Sequence, residues 1–506
     1  MRLPSRRLLL ELHGGAGALF GVLLFVLLFS GSWTLAHEAL QEWARPPAIS
    51  LREEPLPVAR LLEVARDQGI DTDDVSILLP GAGQAGVTFC EPRGGCRLTL
   101  DRFTGQALPS LASLDILKDL HKSLFSGFPG RVLVSLFGIV LLILCVAGLL
   151  LHSRRWRDLL RWRRNRGLRL SLFDLHGLIG MWAFPWLLMF AVTGAFSGLG
   201  ALGTLLLSPV AYPQAPRQAF VDLLGAPPPA ASGQPVIYSI DIDRLLADDA
   251  RRAPDFTVQQ LKFNHWGDRE ASVELGGVRH GLPSTVNFER HLYRLADGRL
   301  LVTGSSAHHG FWTRAFIAIQ PLHFGQYLWL GSGWAATLRG LHLGMGLAAC
   351  LLCASGLFLW GQRRAANPRW NAVVLPRMAE GVCGGLTVAA ASLLLSLQAL
   401  PPQLRAGSWP GWLLWGAWAG SLLLALVLPR PWRPLPILLL LAGLACVLAV
   451  GLHLYAWLAA GQWPPLVADL SLLVCALLLC RPTWWLTRAP VARRHPLPCL
   501  TEDSHA

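Results

Sequence analysis

The sequence predicts a membrane all-α core of about eight transmembrane helices, the first four forming two parallel repeats, with two small α+β domains on one side of the bilayer. Of the 506 residues, 53% are hydrophobic and only 15% are charged. Several uncharged apolar runs are long enough to cross a bilayer. Two long polar segments separate some of these runs and contain the alternating pattern that is typical of short strands.

The transmembrane helices are predicted from uncharged stretches, because the hydrocarbon core needs about 20 apolar residues to span it. The first stretch follows a basic N-terminus, as in a signal peptide. It is longer than the apolar part of a signal peptide and no cleavage site follows, so we expect it to be a retained helix. The predicted spans are 13–36, 131–151, 175–200, 336–360, 380–399, 411–429, 434–458 and 465–481.

Basic residues predict the orientation of these helices. Arginines cluster in the loops 152–171 and 361–378, whereas the opposite short loops near 400–410 and 459–465 carry only Arg405. By the positive-inside rule, both termini are then cytoplasmic. The same clustering accounts for the net charge of +13 better than a nucleic-acid-binding face does, so we expect no nucleic-acid partner.

The spans divide the chain into six parts, two of which lie outside the membrane. The parts are helix 1 (1–36), the first external domain (37–130), helices 2 and 3 with a basic loop (131–200), the second external domain (201–335), helix 4 (336–378), and a four-helix extension with the C-terminal tail (379–506).

In the first external domain, Cys90 and Cys96 flank a turn and are expected to form a disulfide that closes a hairpin.

An internal repeat relates helix 1 to helix 3 and helix 2 to helix 4. "LHGGAG" at 12–17 matches "LHGLIG" at 175–180, and "SG" or "TG" follows seventeen residues after each histidine. "LLILCVAGLLLHSRR" matches "LAACLLCASGLFLWGQRR", and an "LH" precedes each of these helices. The repeated unit is therefore helix, external domain, LH and helix, twice in the same orientation.

The repeat predicts two facing pairs of histidines. His13 and His176 lie near the cytoplasmic surface, and His121 and His323 lie near the external surface. Two neutral imidazoles that converge on one point can supply both axial ligands of a haem iron. Covalent attachment would need C-x-x-C-H, but Ala354 follows the only C-x-x-C. We therefore predict two non-covalent b-type haems, one near each membrane face.

Other histidines provide alternatives. A single histidine at a helix end is usually an interfacial residue, which is how we interpret His37 and His152. His342 lies within helix 4, where helix 2 has Val134, and is an alternative ligand to His323. His453 is structural or belongs to a quinone site. The second external domain has five histidines that belong to its surface or line a site for an iron chelate: His265, His280, His291, His308 and His309.

These motifs resemble the PepSY-associated transmembrane family. The resemblance covers about residues 8–365 and rests on "LHGGAG…SG", "DRFTGQAL…DLHKSLFSGFPGR…AGLLL", "DLHGLIG…VTG" and "PLHFG…SGLFLW…RR". It implies periplasmic PepSY-like domains and an activity like that of inner-membrane siderophore reductases, which hold two haems and release iron as Fe(II). His13, His176, His121 and His323 would be the haem ligands. The chain departs from the family pattern at His342 and in the additional helices of 379–485.

The sequence therefore predicts a haem-containing reductase of the bacterial inner membrane. Its acceptor is a ferric siderophore or another iron chelate in the periplasm, and its donor is a quinol or a cytoplasmic reductase. Hard oxygen ligands hold Fe(III) better than Fe(II), so reduction releases the iron. The alternatives are a permease or accessory subunit without redox chemistry, and a membrane-anchored PepSY regulatory protein.

Overall fold

The computed structural model describes residues 5–46, 54–81, 86–92, 94–152, 163, 167–215, 218–236, 240–364, 371–429 and 433–488. Most of the chain is helical. The helices are α1 (Arg6–Ala44), α2 (Val58–Asp67), α3 (Asp115–Ser123), α4 (Gly127–His152), α5 (Leu168–Trp182), α6 (Phe184–Ala211), α7 (Gln218–Leu224), α8 (Ile242–Arg252), α9 (Phe311–His323), α10 (Ser332–Arg364), α11 (Asn371–Ala399), α12 (Pro402–Arg405), α13 (Trp409–Val427), α14 (Pro434–Ala459) and α15 (Leu466–Arg488).

Seven helices in the described part of the chain are long and apolar enough to cross a membrane: α1, α4, α6, α10, α11, α13 and α14. The segment predicted as an eighth span, 465–481, forms α15 and packs against α14. It is not among the seven. The side chains of α15 are described only as far as Arg481, so the eighth span stays a prediction.

The predicted third span, 175–200, consists of two consecutive helices. α5 ends at Trp182, and α6 begins at Phe184 with Pro185 in its first turn. Proline has no N–H to donate and disfavours helical geometry in the residue before it, so the helix is interrupted here. His176 therefore lies on a short helix of its own, separate from the helix that carries Thr193.

The helices of each repeat pack against helices of the other repeat. α1 packs against α10 as well as α4, and α4 packs most extensively against α6. Each repeat thus contacts the other along its length, and α11 then joins α1 and α10 to α13 and α14. The ends of these helices at Ala44, Gly127, Ala211 and Ser332 connect to the strand-bearing segments. We call the side of the helical layer on which these four helix ends lie the sheet side.

Seven strands in the described residues form one antiparallel sheet of order β3-β2-β1-β4-β5-β6-β7. The first external segment contributes three strands and the second contributes four. The strands are β1 (Ser76–Leu78), β2 (Gly86–Glu91), β3 (Gly95–Asp101), β4 (Phe256–Asn264), β5 (Ser272–Arg279), β6 (Arg290–Arg294) and β7 (Leu300–Gly304).

The two external segments, predicted as two small domains, contribute strands to the same sheet. β1 pairs with β2 on one edge and with β4 on the other, where Ile77 lies opposite Leu261. Both side chains are fully buried and belong to one hydrophobic core. Separate sheets would leave β1 and β4 as unpaired edges, whereas pairing satisfies their backbone groups and buries their side chains.

The predicted disulfide is present. Cys90 and Cys96 are bonded across the hairpin of β2 and β3, where they occupy paired positions. The bond holds together the two strands at the outer edge of the sheet.

Candidate functional site: two pairs of histidines

The structure brings His13, near the start of α1, together with His176 in the middle of α5, on the side of the helical layer away from the sheet. Their ring centroids are 6.1 Å apart and the ring planes are 82° apart. The two residues come from different repeats and are 163 positions apart in the sequence. The packing of the two repeats against each other thus brings the first predicted pair together.

Each imidazole of this pair is oriented by a backbone carbonyl at the same position of its own repeat. Nδ1 of His13 lies 3.1 Å from the Leu144 carbonyl oxygen, and Nδ1 of His176 lies 3.1 Å from that of Leu352. The Ser355 hydroxyl lies 3.0 Å from the same nitrogen of His176. A carbonyl can only accept, so Nδ1–H donates and Nε2 keeps its lone pair. This is the tautomer that binds a metal through Nε2.

A glycine in the neighbouring helix leaves room for each ring of this pair. A Cβ added at Gly148 would lie 3.3 Å from Cε1 of His13, and a Cβ at Gly356 would lie 3.2 Å from Cε1 of His176. Both distances are shorter than an ordinary carbon–carbon contact. The two glycines are at equivalent positions of α4 and α10 in the repeat.

His121 and His323 form the second pair, on the sheet side, with ring centroids 6.0 Å apart and planes 19° apart. His323 is the last residue of α9. His121 lies near the end of α3, where Leu124 and Phe125 have φ values of 47° and 60°. Residues with side chains rarely adopt this left-handed conformation. It lets the chain reverse from α3 into α4 within a few residues of His121.

The second pair is held by groups on the first helix of each repeat. Nδ1 of His121 lies 2.8 Å from the Leu27 carbonyl oxygen. Nδ1 of His323 lies 2.9 Å from the Thr193 hydroxyl, which donates its own hydrogen to the Met189 carbonyl. The hydroxyl therefore accepts from the imidazole, and Nε2 is again the nitrogen with a lone pair.

The glycines of the "SG" and "TG" motifs face these two rings. A Cβ added at Gly31 would lie 2.8 Å from Cε1 of His121, and a Cβ at Gly194 would lie 3.3 Å from Cε1 of His323. All four paired histidines thus share one environment, with Nδ1 engaged by an oxygen and the ring edge against a glycine.

The two pairs are well separated along the helices. The Leu27 carbonyl that holds His121 is 14 residues beyond His13 on α1, a rise of about 21 Å at 1.5 Å per residue. The hydrocarbon core of a bilayer is about 30 Å thick. The pairs therefore lie toward opposite faces of the helical layer.

His342 occupies a different position from the paired histidines. It is 1% exposed, its Nδ1 is hydrogen-bonded to the Tyr327 hydroxyl at 2.9 Å, and its ring centroid is 4.9 Å from that of Phe190. Of the two alternative ligands, His323 is the one whose ring lies 6.0 Å from that of His121.

The remaining predicted histidines are placed individually. Nε2 of His37 lies 3.0 Å from Asp115 Oδ1 at the sheet-side end of α1. Burial would raise the pKa of Asp115, but hydrogen bonds from His37 and Lys118 outweigh it and lower the pKa to about 2. The structure of the His152 side chain lies outside the described residues.

The histidines of the second external segment do not converge on one site. His291 is buried and bonds Asp249, which also accepts from the Tyr293 hydroxyl. Burial raises the pKa of Tyr293, and the Asp249 carboxylate adds to the effect, bringing it to about 12. In the described parts of the chain, no group of three or more His, Cys, Asp or Glu side chains is arranged to hold a metal ion.

One buried polar cluster was missed in the sequence. Asp469 of α15 accepts from Nε1 of Trp43 at 2.8 Å and lies 3.0 Å from Nδ1 of His453, and all three side chains are about 98% buried or more. No pattern in the sequence pairs His453 with Asp469. A single carboxylate in an apolar helix was the available signal, because such a residue is costly in a membrane unless it has a partner.

Comparison with known protein families matches residues 10–363 to the family described as the PepSY-associated TM region. The chain belongs to this family. An uncharacterized protein of Pseudomonas aeruginosa is 62% identical over 396 residues, which are 78% of this chain and the whole of that protein. The PepSY-associated TM region contains both histidine pairs, His342 and all seven strands, whereas α11–α15 lie beyond it.

Proposed function

We propose that this protein is a haem-containing reductase of the bacterial inner membrane. It passes electrons from the cytoplasmic or quinone side to a ferric siderophore in the periplasm and releases Fe(II) for uptake. The observation that carries the proposal is the occurrence of two histidine pairs, related by the repeat, with every Nδ1 hydrogen-bonded to an oxygen.

The spacing of the rings fits a metal held between two imidazoles. With metal–nitrogen bonds of about 2.0–2.1 Å and about 1.1 Å from each nitrogen to its ring centre, two imidazoles on opposite sides of one ion have centroids about 6.3 Å apart. The observed distances are 6.1 Å and 6.0 Å. The donor set also fits, because each neutral imidazole of a pair would offer one nitrogen to a haem iron.

The protein's own residues prepare each site. The oxygen acceptors fix the tautomer and orientation of each ring before any ligand is bound, and such outer partners raise the basicity of the ligating nitrogen. The glycines let the rings sit close to the helix backbone. Haem bound at these positions would supply one-electron transfer, and two sites near opposite faces would then allow electrons to cross the membrane.

The placement of the sheet supports a periplasmic acceptor. The basic loops lie at the opposite ends of the helices, and a disulfide such as Cys90–Cys96 persists in oxidising compartments. The sheet-side pair, His121 and His323, is then the nearer one to the acceptor. Reduction lowers the affinity of hard siderophore oxygens for the iron, so no acid–base group is needed for its release.

A visible spectrum of the purified protein tests the proposal. We expect a Soret band, α and β bands on reduction, and two haems per chain. Replacing His13 or His176 by alanine should remove one haem and leave the other. Replacing His121 or His323 should remove the second haem. His280→Ala is a matched control from the external segment and should retain both.

Two results would contradict the proposal. A protein purified without a Soret band after expression with sufficient haem would support the permease or the PepSY regulatory alternative. Loss of both haems from every single variant, with normal folding, would contradict two independent sites. For the acceptor, the dithionite-reduced protein should be oxidised faster by ferric siderophores than by buffer alone, with Fe(II) trapped by a chromogenic chelator.

A further inference from the structure

Two arginines lie at corresponding positions of α4 and α10. Arg131 precedes Val134 by three residues, and Arg339 precedes His342 by three residues, so both arginines follow the repeat. Both lie at the sheet-side ends of their helices. The positive-inside rule explains arginines at the opposite ends and does not explain this pair.

Each arginine is anchored one helical turn beyond a group that holds the second histidine pair. Arg339 donates from Nη2 to the Leu35 carbonyl at 3.1 Å, and Leu35 is four residues after Gly31, which faces His121. Arg131 donates from Nη2 to the Ser197 hydroxyl at 3.4 Å, and Ser197 is four residues after Thr193, which holds His323. Four residues of helix correspond to a rise of about 6 Å toward the sheet side.

The two arginines differ in their present partners. Arg339 donates from Nη1 to the Glu38 carboxylate at 3.0 Å and from Nε and Nη2 to the Leu35 carbonyl, and the Glu38 side chain is 55% exposed. The bond from Arg131 to Ser197 goes to a neutral hydroxyl. Each repeat thus contributes one arginine near the sheet-side end of its second helix, bonded one turn beyond the residues that contact His121 and His323.

We propose that Arg131 and Arg339 bind the two propionate carboxylates of the haem held by His121 and His323, one carboxylate each. The inference rests on the proposed function. The b-type haem carries both carboxylates on one edge, and the planar guanidinium matches a carboxylate with two parallel hydrogen bonds. The propionate edge then faces the sheet side.

The test compares haem b with its dimethyl ester, which has no carboxylate charge. Binding is measured in the full-length His13→Ala protein, so that only the sheet-side site is loaded. We expect this protein to bind haem b roughly 10- to 100-fold more tightly than the ester, as charge-assisted hydrogen bonds allow. Arg131→Gln and Arg339→Gln should each reduce this preference, and the double variant should abolish it.

Arg405→Gln is the matched control. Arg405 is also on the sheet side and bonds a backbone carbonyl, that of Leu397, but it lies outside the repeats. It should keep the full preference. Arg131→Lys and Arg339→Lys keep the charge without the paired hydrogen bonds and should retain an intermediate preference for haem b over the ester. These two variants also provide folded proteins if glutamine is not tolerated at either position.

The midpoint potential provides an independent measurement. Loss of either arginine favours the more positive, oxidised iron, so the potential of this haem alone should fall. Equal affinity for haem b and its ester, or an unchanged preference in both glutamine variants, would overturn the arginine assignment and leave the di-haem proposal intact. A wild-type protein without haem would instead overturn the proposed function.

Discussion

Replacing Gly31 by alanine should disturb the sheet-side histidine pair selectively. The added Cβ would lie 2.8 Å from Cε1 and 3.0 Å from Nδ1 of His121. Ordinary contacts between carbon atoms are about 3.5–4.0 Å, so the ring must retreat by about 0.7 Å or more. That movement would disturb the 2.8 Å bond between Nδ1 of His121 and the Leu27 carbonyl, because hydrogen bonds of this kind need about 2.7–3.2 Å between donor and acceptor.

The displacement is larger than the roughly 0.5 Å tolerance of a preorganised site. We therefore expect Gly31→Ala to lose the sheet-side haem or to shift its potential, and to lower stability by about 1–3 kcal/mol, as overpacking usually does. Gly194→Ala should have a smaller effect, because its Cβ would lie 3.3 Å from Cε1 of His323. The other haem should be unaffected in both variants.

The assay is the haem-to-protein ratio, combined with a redox titration and thermal unfolding in the same detergent. Gly420→Ala is the control, because a Cβ there would have no atom within 4 Å and Gly420 lies on α13, outside the repeats. The reasoning is refuted if Gly31→Ala keeps both haems at unchanged potentials, or if Gly420→Ala loses as much haem as Gly31→Ala.

Three further predictions concern stability, each measured by unfolding against wild type. Asp469→Ala should cost about 1–3 kcal/mol because Trp43 and His453 lose their acceptor, whereas Asp469→Asn should cost less. Removing the Cys90–Cys96 disulfide should cost about 2 kcal/mol for so short a loop; equal unfolding of the oxidised and reduced protein would contradict this. The pKa of Asp115 is lowered from 3.8 to about 2, so its stabilising contribution is present above pH 4 and is lost as the pH falls toward 2. The advantage of wild type over Asp115→Asn should disappear over that range, and a constant difference would exclude this linkage.

Much of the helical layer could be predicted from the sequence because the bilayer imposes a length and an apolar composition on every span. Seven of the eight predicted segments overlap helices able to cross a membrane. The repeat also placed His13 with His176 and His121 with His323, since equivalent positions of parallel repeats face one another. For these features, local composition and periodicity are sufficient.

The surroundings of the histidines could not be predicted. Leu144 and Leu352 contribute carbonyl oxygens, which every residue has, so no pattern in the sequence distinguishes them. The preference for His323 over His342 as the partner of His121 depends on how α9 and α10 pack. His342 is instead oriented by Tyr327 and Phe190, which lie on other elements.

The sequence by itself determined the membrane class, the repeat, the disulfide and the four histidines that meet, because these follow from composition, spacing and period. Only the tertiary structure decided that the external segments share one sheet through β1 and β4, that Asp469 reaches Trp43 across the chain, and that each paired imidazole has its own acceptor and glycine. Such contacts join residues that are distant in sequence. Their free energy depends on packing and on which backbone groups remain to be satisfied, and neither is encoded in a local pattern.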